Sequence, residues 1–206
     1  MAAAAKGGVV TLVADTGSEG IMVAEKSNTT VDLNGHHLIL SAPNVGSEGT
    51  KTLGFQLLKD STVVFKNGTI VAEDAKMVIQ NYSNLVLDNV TIECSEKNLY
   101  LLSNNFGNTV LKNGTKIKAS GKTVAFDLYY GMFEVYDAGV TVTIEDNSVV
   151  IDGPIEYGKA DRAKEENFVA KCKLTTPIGF KLDIPAGYEW SDNGDGTQTL
   201  VASAAN

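Results

Sequence analysis

Two adjacent histidines, His36 and His37, are the only histidines in the chain and the first candidates for catalysis or metal binding. Consecutive residues of a strand point to opposite faces of a sheet. Two neighbouring imidazoles in a strand therefore cannot hold one metal ion, or act as a base and its orienting partner, without a bend. We predict a structural role for this pair. Cys94 and Cys172 show no metal-ligand spacing, which favours two free thiols.

Carboxylates are the other residues that can do chemistry. A pair for glycoside hydrolysis can be sought among Asp32, Asp88 and Glu145, but acids near predicted turns are expected on an acidic surface. Calcium-dependent elimination would need clustered carboxylates beside a base, and the single arginine, Arg162, lies outside the repeats described below. The acidic turn 192–195 lacks the later glutamate of an EF-hand loop. The sequence therefore predicts no catalytic residue, no metal site and no cofactor.

Four aromatic residues form the local feature that stands out most: Tyr129, Tyr130, Phe133 and Tyr136 fall within eight residues. Aromatic rings can stack on sugar rings or anchor a protein interface. They can equally fill the core of an inserted loop. All three uses stay open, and we favour an interface over a glycan contact.

These candidates fall within or between copies of one internal repeat. In each copy, β-branched or leucine positions run into a turn at an asparagine and continue into a second short apolar run. Asparagine tolerates the left-handed backbone conformation that a sharp bend requires, so we predict a structural role at corners of stacked coils. The turn asparagines are Asn34, Asn67, Asn89, Asn113 and Asn147, which lie 33, 22, 24 and 34 residues apart.

The intervals predict the architecture. The two longer ones indicate insertions, at 42–50 and near 129–139. Three short strands per coil favour an all-β fold, a right-handed parallel β-helix, because parallel crossovers are right-handed in nearly all proteins. Asn-Gly is also a hairpin signal, so an antiparallel meander stays open. Further strands are predicted at 21–24, 54–58, 77–79, 99–102 and 124–128. Equivalent inward positions are predicted for Leu33, Phe65, Leu87, Leu111 and Ile144, with Val86 outward.

The runs 8–15, 21–26 and 30–38 resemble the opening of pectate-lyase-like β-helices. Such helices are found in head-fibre and tail-spike proteins of tailed phages and in surface proteins of gut bacteria. The resemblance extends to residue 153 and implies the architecture more strongly than a function, because this fold hosts lyases, hydrolases, adhesins and inert spacers. It also implies a homotrimer.

Past Gly153 the pattern changes, which predicts a β-helix at 1–153, with a cap or attachment segment at 1–20, and a C-terminal module at 154–206. The composition of 161–174 is typical of a short amphipathic helix. A parallel stack exposes strand edges at its ends, so we expect the module to act as a cap. Its strands are predicted at 180–184, 187–190 and 197–201, with a hairpin turn at 191–196. The ending also resembles C-terminal modules of phage structural proteins.

Composition limits the partners. The 206 residues carry a formal charge of −8, which opposes nucleic-acid binding. We see no signal peptide or membrane span, and expect a soluble protein made in the host cytoplasm. With the resemblance, this favours a non-enzymatic virion component, a head fibre or capsid-decoration protein that contacts other virion proteins and has surface polysaccharide as a further candidate partner. A polysaccharide-binding or polysaccharide-cleaving β-helix and a fragment of a bacterial surface adhesin stay open.

Overall fold

The chain is mostly β-structure, with two sheets whose strands run parallel over most of their extent. The structure is a computed structural model that describes residues 2–47, 49–132 and 138–204. The helices are α1 (Ala2–Lys6) and α2 (Glu165–Lys171). The strands, in chain order, are β1 (Gly8–Thr11), β2 (Thr16–Glu19), β3 (Ile21–Val23), β4 (Asn28–Asp32), β5 (His37–Ser41), β6 (Leu53–Leu57), β7 (Thr62–Ala72), β8 (Met77–Asn81), β9 (Asn84–Glu93), β10 (Tyr100–Asn104), β11 (Gly107–Lys112), β12 (Lys116–Lys118), β13 (Val124–Tyr130), β14 (Val140–Ile144), β15 (Val150–Asp152), β16 (Ile155–Lys159), β17 (Cys172–Pro177), β18 (Tyr188–Asp192) and β19 (Thr197–Ala202).

The first sheet follows the order β1-β4-β7-β9-β11-β14-β17-β19-β18, and its pairings are parallel as far as β17. The long strands β7 and β9 pass through turn asparagines, so β7 also pairs with the short strand β5 and β9 with the short strand β12. Strand β2 pairs with β5, and β15 pairs with β12. The second sheet follows the order β16-β13-β10-β8-β6-β3, all parallel. This pairing excludes the antiparallel meander and confirms the five short strands predicted between the repeats.

Inward positions stack from strand to strand as predicted, with one exception. Phe65, Leu87, Leu111 and Ile144 are register partners in turn, and each is buried. The partner of Phe65 on β4 is Val31 rather than Leu33, so the predicted first member was wrong. The first corner is two residues longer than the next one, since Val31 and Leu38 pair with Phe65 and Ile70.

Apolar packing joins the two sheets. The rings of Phe55 and Phe65 meet edge to face with centroids 4.9 Å apart, and both side chains are fully buried. Val86, next to Leu87 on β9, is only half-buried, as its predicted outward position requires. Alternation along each strand therefore separates a continuous apolar interior from an outer surface.

Both ends of the stack are covered. At the N-terminal end, Ala4 of α1 is buried, and its carbonyl accepts a hydrogen bond of 2.9 Å from Thr29 Oγ1. At the other end, β19 pairs antiparallel with β17 and with β18. The Tyr157 ring lies 4.9 Å from that of Tyr188 and 5.2 Å from that of Phe168 on α2.

The region after residue 153 differs in detail from the prediction. The helix is shorter than 161–174, because from Cys172 the chain becomes a strand that pairs with β14. The predicted strand at 180–184 does not form, whereas the hairpin around 191–196 is confirmed. Strands β16 and β17 continue the parallel sheets beyond residue 153. The division into two domains stays a prediction.

Candidate functional site

One residue from each coil forms a column on the second sheet that we call the polar column. Its members are Gln56, Gln80, Ser103, Asp127 and Glu156, which are register partners in that order. Neighbouring residues such as Leu57 and Phe126 belong to the apolar core, so alternation directs the column outward. Even so, Gln56, Ser103 and Asp127 retain only 7%, 2% and 6% of their exposure.

At the end of the polar column formed by Gln56 and Gln80, another part of the chain lies beside it. The connection 42–52 between β5 and β6 corresponds to the first predicted insertion. Thr50 and Thr52 from this connection line a cavity of about 210 Å³ together with Gln56, Gln80 and residues from elsewhere in the chain. A covered outer face of this kind is where a small ligand can be enclosed.

Asp127 is the buried carboxyl of the column, and its pKa is shifted from the ordinary value. Burial raises the pKa of its carboxyl to about 7, and the negative charge of Glu156 adds to the rise. Hydrogen bonds from the Asn104 backbone N–H, at 2.6 Å, and from Ser103 Oγ, at 3.0 Å, oppose the rise. Near neutral pH this carboxyl therefore exchanges between a neutral and a charged form.

Glu156, on the adjacent strand, is an exposed carboxylate. It accepts a hydrogen bond of 3.0 Å from the Tyr100 hydroxyl. Burial first, and then this bond and the charge of Glu156, raise the pKa of Tyr100 to about 12, so the phenol remains a donor at neutral pH. Two carboxyls in different environments thus lie on neighbouring strands, Asp127 buried and Glu156 in contact with solvent.

A buried amide network supports Asp127 from the interior. The Asn104 side chain donates to the Asp127 carbonyl at 2.9 Å, and it accepts from Thr109 Oγ1 at 2.6 Å. Asn81, the register partner of Asn104, donates to Thr109 and accepts from Ser83. Satisfied buried networks of this kind hold their members in one arrangement.

The predicted aromatic site is only partly visible. Tyr129 is half-buried on β13. Tyr130 retains 1% exposure and belongs to the apolar core. Of the uses left open for the aromatic residues, this position fits core filling and not contact with an outside ligand or partner. The reason is alternation, since adjacent residues of β13 point to opposite sides. Phe133 and Tyr136 lie outside the described residues.

The two histidines converge rather than diverge. His36 Nδ1 lies 3.4 Å and His37 Nδ1 lies 3.6 Å from Asp15 Oδ1, and the His37 backbone N–H donates to the same oxygen at 2.9 Å. His36 belongs to the turn and not to β5, which supplies the bend that strand geometry alone lacks. The Asp15 pKa is lowered, mainly by the His37 N–H. Across the described ranges, no group of three His, Cys, Asp or Glu residues is placed to hold a metal ion.

Acids and lysines that precede the turn asparagines form a second column, which we call the charge column. Asp32 pairs in register with Lys66, Lys66 with Asp88, and Asp88 with Lys112, and Glu145 continues the series. Lys66 Nζ lies 3.1 Å from Asp32, and Lys112 Nζ lies 3.8 Å from Asp88. Burial is the largest single influence on the Asp32 pKa and raises it, but the hydrogen bonds from Asn67, Lys66 and the Asn34 N–H together bring the pKa below its usual value. These side chains stabilise one another along the stack.

Four of the five turn asparagines adopt the left-handed conformation. Their φ angles are 50° for Asn34, 58° for Asn67, 56° for Asn89 and 52° for Asn113. Asn147 has no such φ, and the acceptor one coil beyond Asn113 is Asp146, which takes the Asn113 N–H at 2.8 Å. The last corner is longer than its neighbour, so alignment on asparagine misplaces it by one residue.

No family model, curated protein or solved structure matches this chain. Among the described helices, none has the length and apolar character needed to cross a membrane. Function is therefore inferred from the residues themselves.

The sequence pattern alone did not identify Asp127 as a site residue and missed the polar column. A signal was present, because each central strand of the second sheet places a polar residue after two apolar ones. The runs are Gly54-Phe-Gln56, Val78-Ile-Gln80, Leu101-Leu-Ser103 and Ala125-Phe-Asp127. Aligning these strands with one another would have revealed the column, although not its burial.

Proposed function

We propose that the chain is a right-handed parallel β-helix that serves as a non-enzymatic structural component of a tailed-phage virion, as a head fibre or capsid-decoration protein. The observation that carries this proposal is the in-register stacking of one strand on the next, from β1 to β17. With about 4.8 Å between adjacent strands, such a stack makes a stiff spacer.

Two features of the stack support a role as a rigid spacer. Outward side chains are used mainly to tie one coil to the next, as in the charge column and in the amide pair Asn84 and Asn108, joined at 2.8 Å. Both ends of the stack are covered by elements of the chain itself, which limits uncontrolled edge pairing. A protein selected for rigidity and defined length benefits from both.

The virion setting rests on the resemblance of residues 8–38 and of the C-terminal hairpin to phage proteins. It brings with it assembly as a homotrimer, contact with capsid or other virion proteins, synthesis in the host cytoplasm and adhesion to host-surface glycans as an added role. A bacterial surface adhesin with the same fold is the competing location.

The mass of the assembly tests this proposal. Light scattering coupled to size exclusion, at micromolar concentration and neutral pH, should give three times the chain mass of 21.8 kDa. A particle of 21.8 kDa under these conditions would contradict the trimer. Labelling of intact phage particles by antibodies against the chain tests the location, and absence of label on the phage that encodes it would remove the virion assignment.

Polysaccharide cleavage is the second candidate, favoured by one observation. The neighbouring carboxyls Asp127 and Glu156 have the contrast of buried acid and exposed carboxylate that glycoside hydrolysis uses. Release of reducing ends from a polysaccharide panel, abolished by Asp127→Asn, would replace the structural proposal with this one. We expect no release from the wild type.

A further inference from the structure

We infer that the cavity beside Gln56 and Gln80, at one end of the polar column, is a binding site for one ring of a neutral sugar. The site is formed by Gln56 and Gln80 on the second sheet, by Thr50 and Thr52 from the connection 42–52, and by Met132. This inference deepens the glycan-adhesion part of the proposed function and rests on it.

The amides supply complementary hydrogen-bonding groups. Gln56 Nε2 donates to Gln80 Oε1 at 3.2 Å. The Gln56 carbonyl and the Gln80 amino group have no further hydrogen-bond partner among the described residues. An unpaired acceptor next to an unpaired donor suits a ligand with adjacent hydroxyl groups, since each hydroxyl can both donate and accept.

The walls match the other side of a sugar. Leu53, Met77, Tyr82 and Met132 contribute apolar and aromatic surface to the cavity. The C–H face of a pyranose packs on such groups, while methionine adapts its shape to an irregular ligand. A site with an apolar wall and amides thus fits both surfaces of one ring.

Charge and size narrow the ligand further. None of the described residues that line the cavity is charged, and the chain as a whole carries −8. Asp127 and Glu156 extend the same column, so a uronate or sialic acid would meet repulsion. The volume of about 210 Å³ is below the roughly 300–1,000 Å³ of sites for drug-sized ligands, which favours a single ring over an oligosaccharide.

Methionine methyl resonances provide the test. Met77 and Met132 line the cavity, whereas Met22 does not line it, although it is the register partner of Gln56 on the next strand. The full-length chain labelled at methionine methyls is titrated with glucose, galactose, mannose, N-acetylglucosamine and glucuronate, each to about 50 mM. With a Kd on the order of 1 mM, at least one neutral sugar should shift Met77 and Met132 in a saturable way and shift Met22 clearly less.

Variants assign the binding to the amides. Gln80→Ala should weaken binding about tenfold or more, as expected for loss of a donor and its partner contact. Gln80→Met keeps the side-chain length and serves if the alanine variant does not fold. Asn108→Ala removes the matched amide pair on the first sheet and should leave the affinity unchanged.

Several outcomes overturn the inference: no neutral sugar shifts the two methyls, Met22 shifts equally, glucuronate binds best, or the Gln80 variants bind like wild type. The assembly mass, measured on the same sample, separates this result from the proposed function. A trimer without sugar binding removes the site alone, whereas a monomer that binds sugar removes the trimeric virion proposal alone.

Discussion

The polar column and the charge column are built in the same way and have opposite environments. Each takes one outward residue per coil from parallel strands. The charge column keeps contact with solvent and alternates in sign, whereas the polar column contains the nearly buried Gln56, Ser103 and Asp127 and ends in the exposed Glu156. Register therefore decides which side chains share a column, whereas the surrounding chain decides how far each side chain is exposed to solvent.

Two aspartates make this contrast concrete. Asp32 lies beside Lys66 and the Asn67 amide, and its pKa is below the usual value. Asp127 has only neutral donors and the negative Glu156 nearby, and its burial raises the pKa to about 7. The same residue type thus acts as a permanent anion in one column and as a titrating group in the other.

The largest expected effect comes from placing a carboxylate at an inward position next to the charge column. Leu87→Asp, next to Asp88, would bury an unpaired charge in the core and should lower the free energy of unfolding by about 3–5 kcal/mol. Val86→Asp is the matched control, since Val86 points outward, and it should cost less than about 1 kcal/mol. Urea denaturation at neutral pH measures both. If Val86→Asp proves as damaging as Leu87→Asp, the inward and outward assignment is wrong.

The second prediction concerns pH. Because the folded pKa of Asp127 is about 7 and its ordinary value is 3.8, the folded state holds a proton that the unfolded state releases between these values. Stability from this group is full below pH 4 and falls as pH rises to 7. Asp127→Asn removes that loss, so its stability relative to wild type should rise by about 3 kcal/mol between pH 5 and pH 8.

Asp32→Asn is the control for the pH experiment. The Asp32 pKa is lowered in the fold, so this group is ionised in both states above pH 5 and its contribution disappears only in more acidic solution. The difference between Asp32→Asn and wild type should therefore stay constant from pH 5 to pH 8. A rising difference for Asp32→Asn, or a flat one for Asp127→Asn, would reverse the contrast between the columns.

The smallest effect tests the alternation of charge. Lys66→Glu would place three like charges in line at Asp32, position 66 and Asp88, and should cost roughly 1 kcal/mol at low salt because the side chains are partly solvated. In 1 M salt the cost should shrink, since the screening length falls to about 3 Å. Lys122→Glu changes the net charge equally at an exposed turn. Equal melting temperatures for the two variants would show that the column has no electrostatic role.

Much of the fold could be predicted because its signals are local. Short β-branched runs and repeated asparagine turns identified the strands of the second sheet and the stacking of Phe65, Leu87, Leu111 and Ile144. The errors arose where corner lengths differ. Leu33 and Asn147 were aligned on their turns, but the first and last corners contain extra residues, so Val31 and Asp146 hold the equivalent positions.

The site was harder to predict because its environment is created by residues distant in sequence. Nothing near Asp127 in the chain indicates that its carboxyl is desolvated, and its hydrogen-bond partners Ser103 and Asn104 belong to the preceding coil. The convergence of His36 and His37 on Asp15 was missed for a related reason, since the bend depends on a turn that pairs 22 residues away. Strand alternation predicts whether a side chain points inward or outward, but it does not predict whether an outward side chain is buried by other parts of the chain.

The covered ends have a mechanical consequence. The first and last described elements lie at opposite ends of the first sheet, α1 beside β1 and β19 between β17 and β18. Tension between them would therefore act across the strands and peel coils away one after another, loading a few hydrogen bonds at a time. The hairpin of β18 and β19 and the helix α1 would then be loaded first. Their stability would set the force at which the protein begins to lengthen.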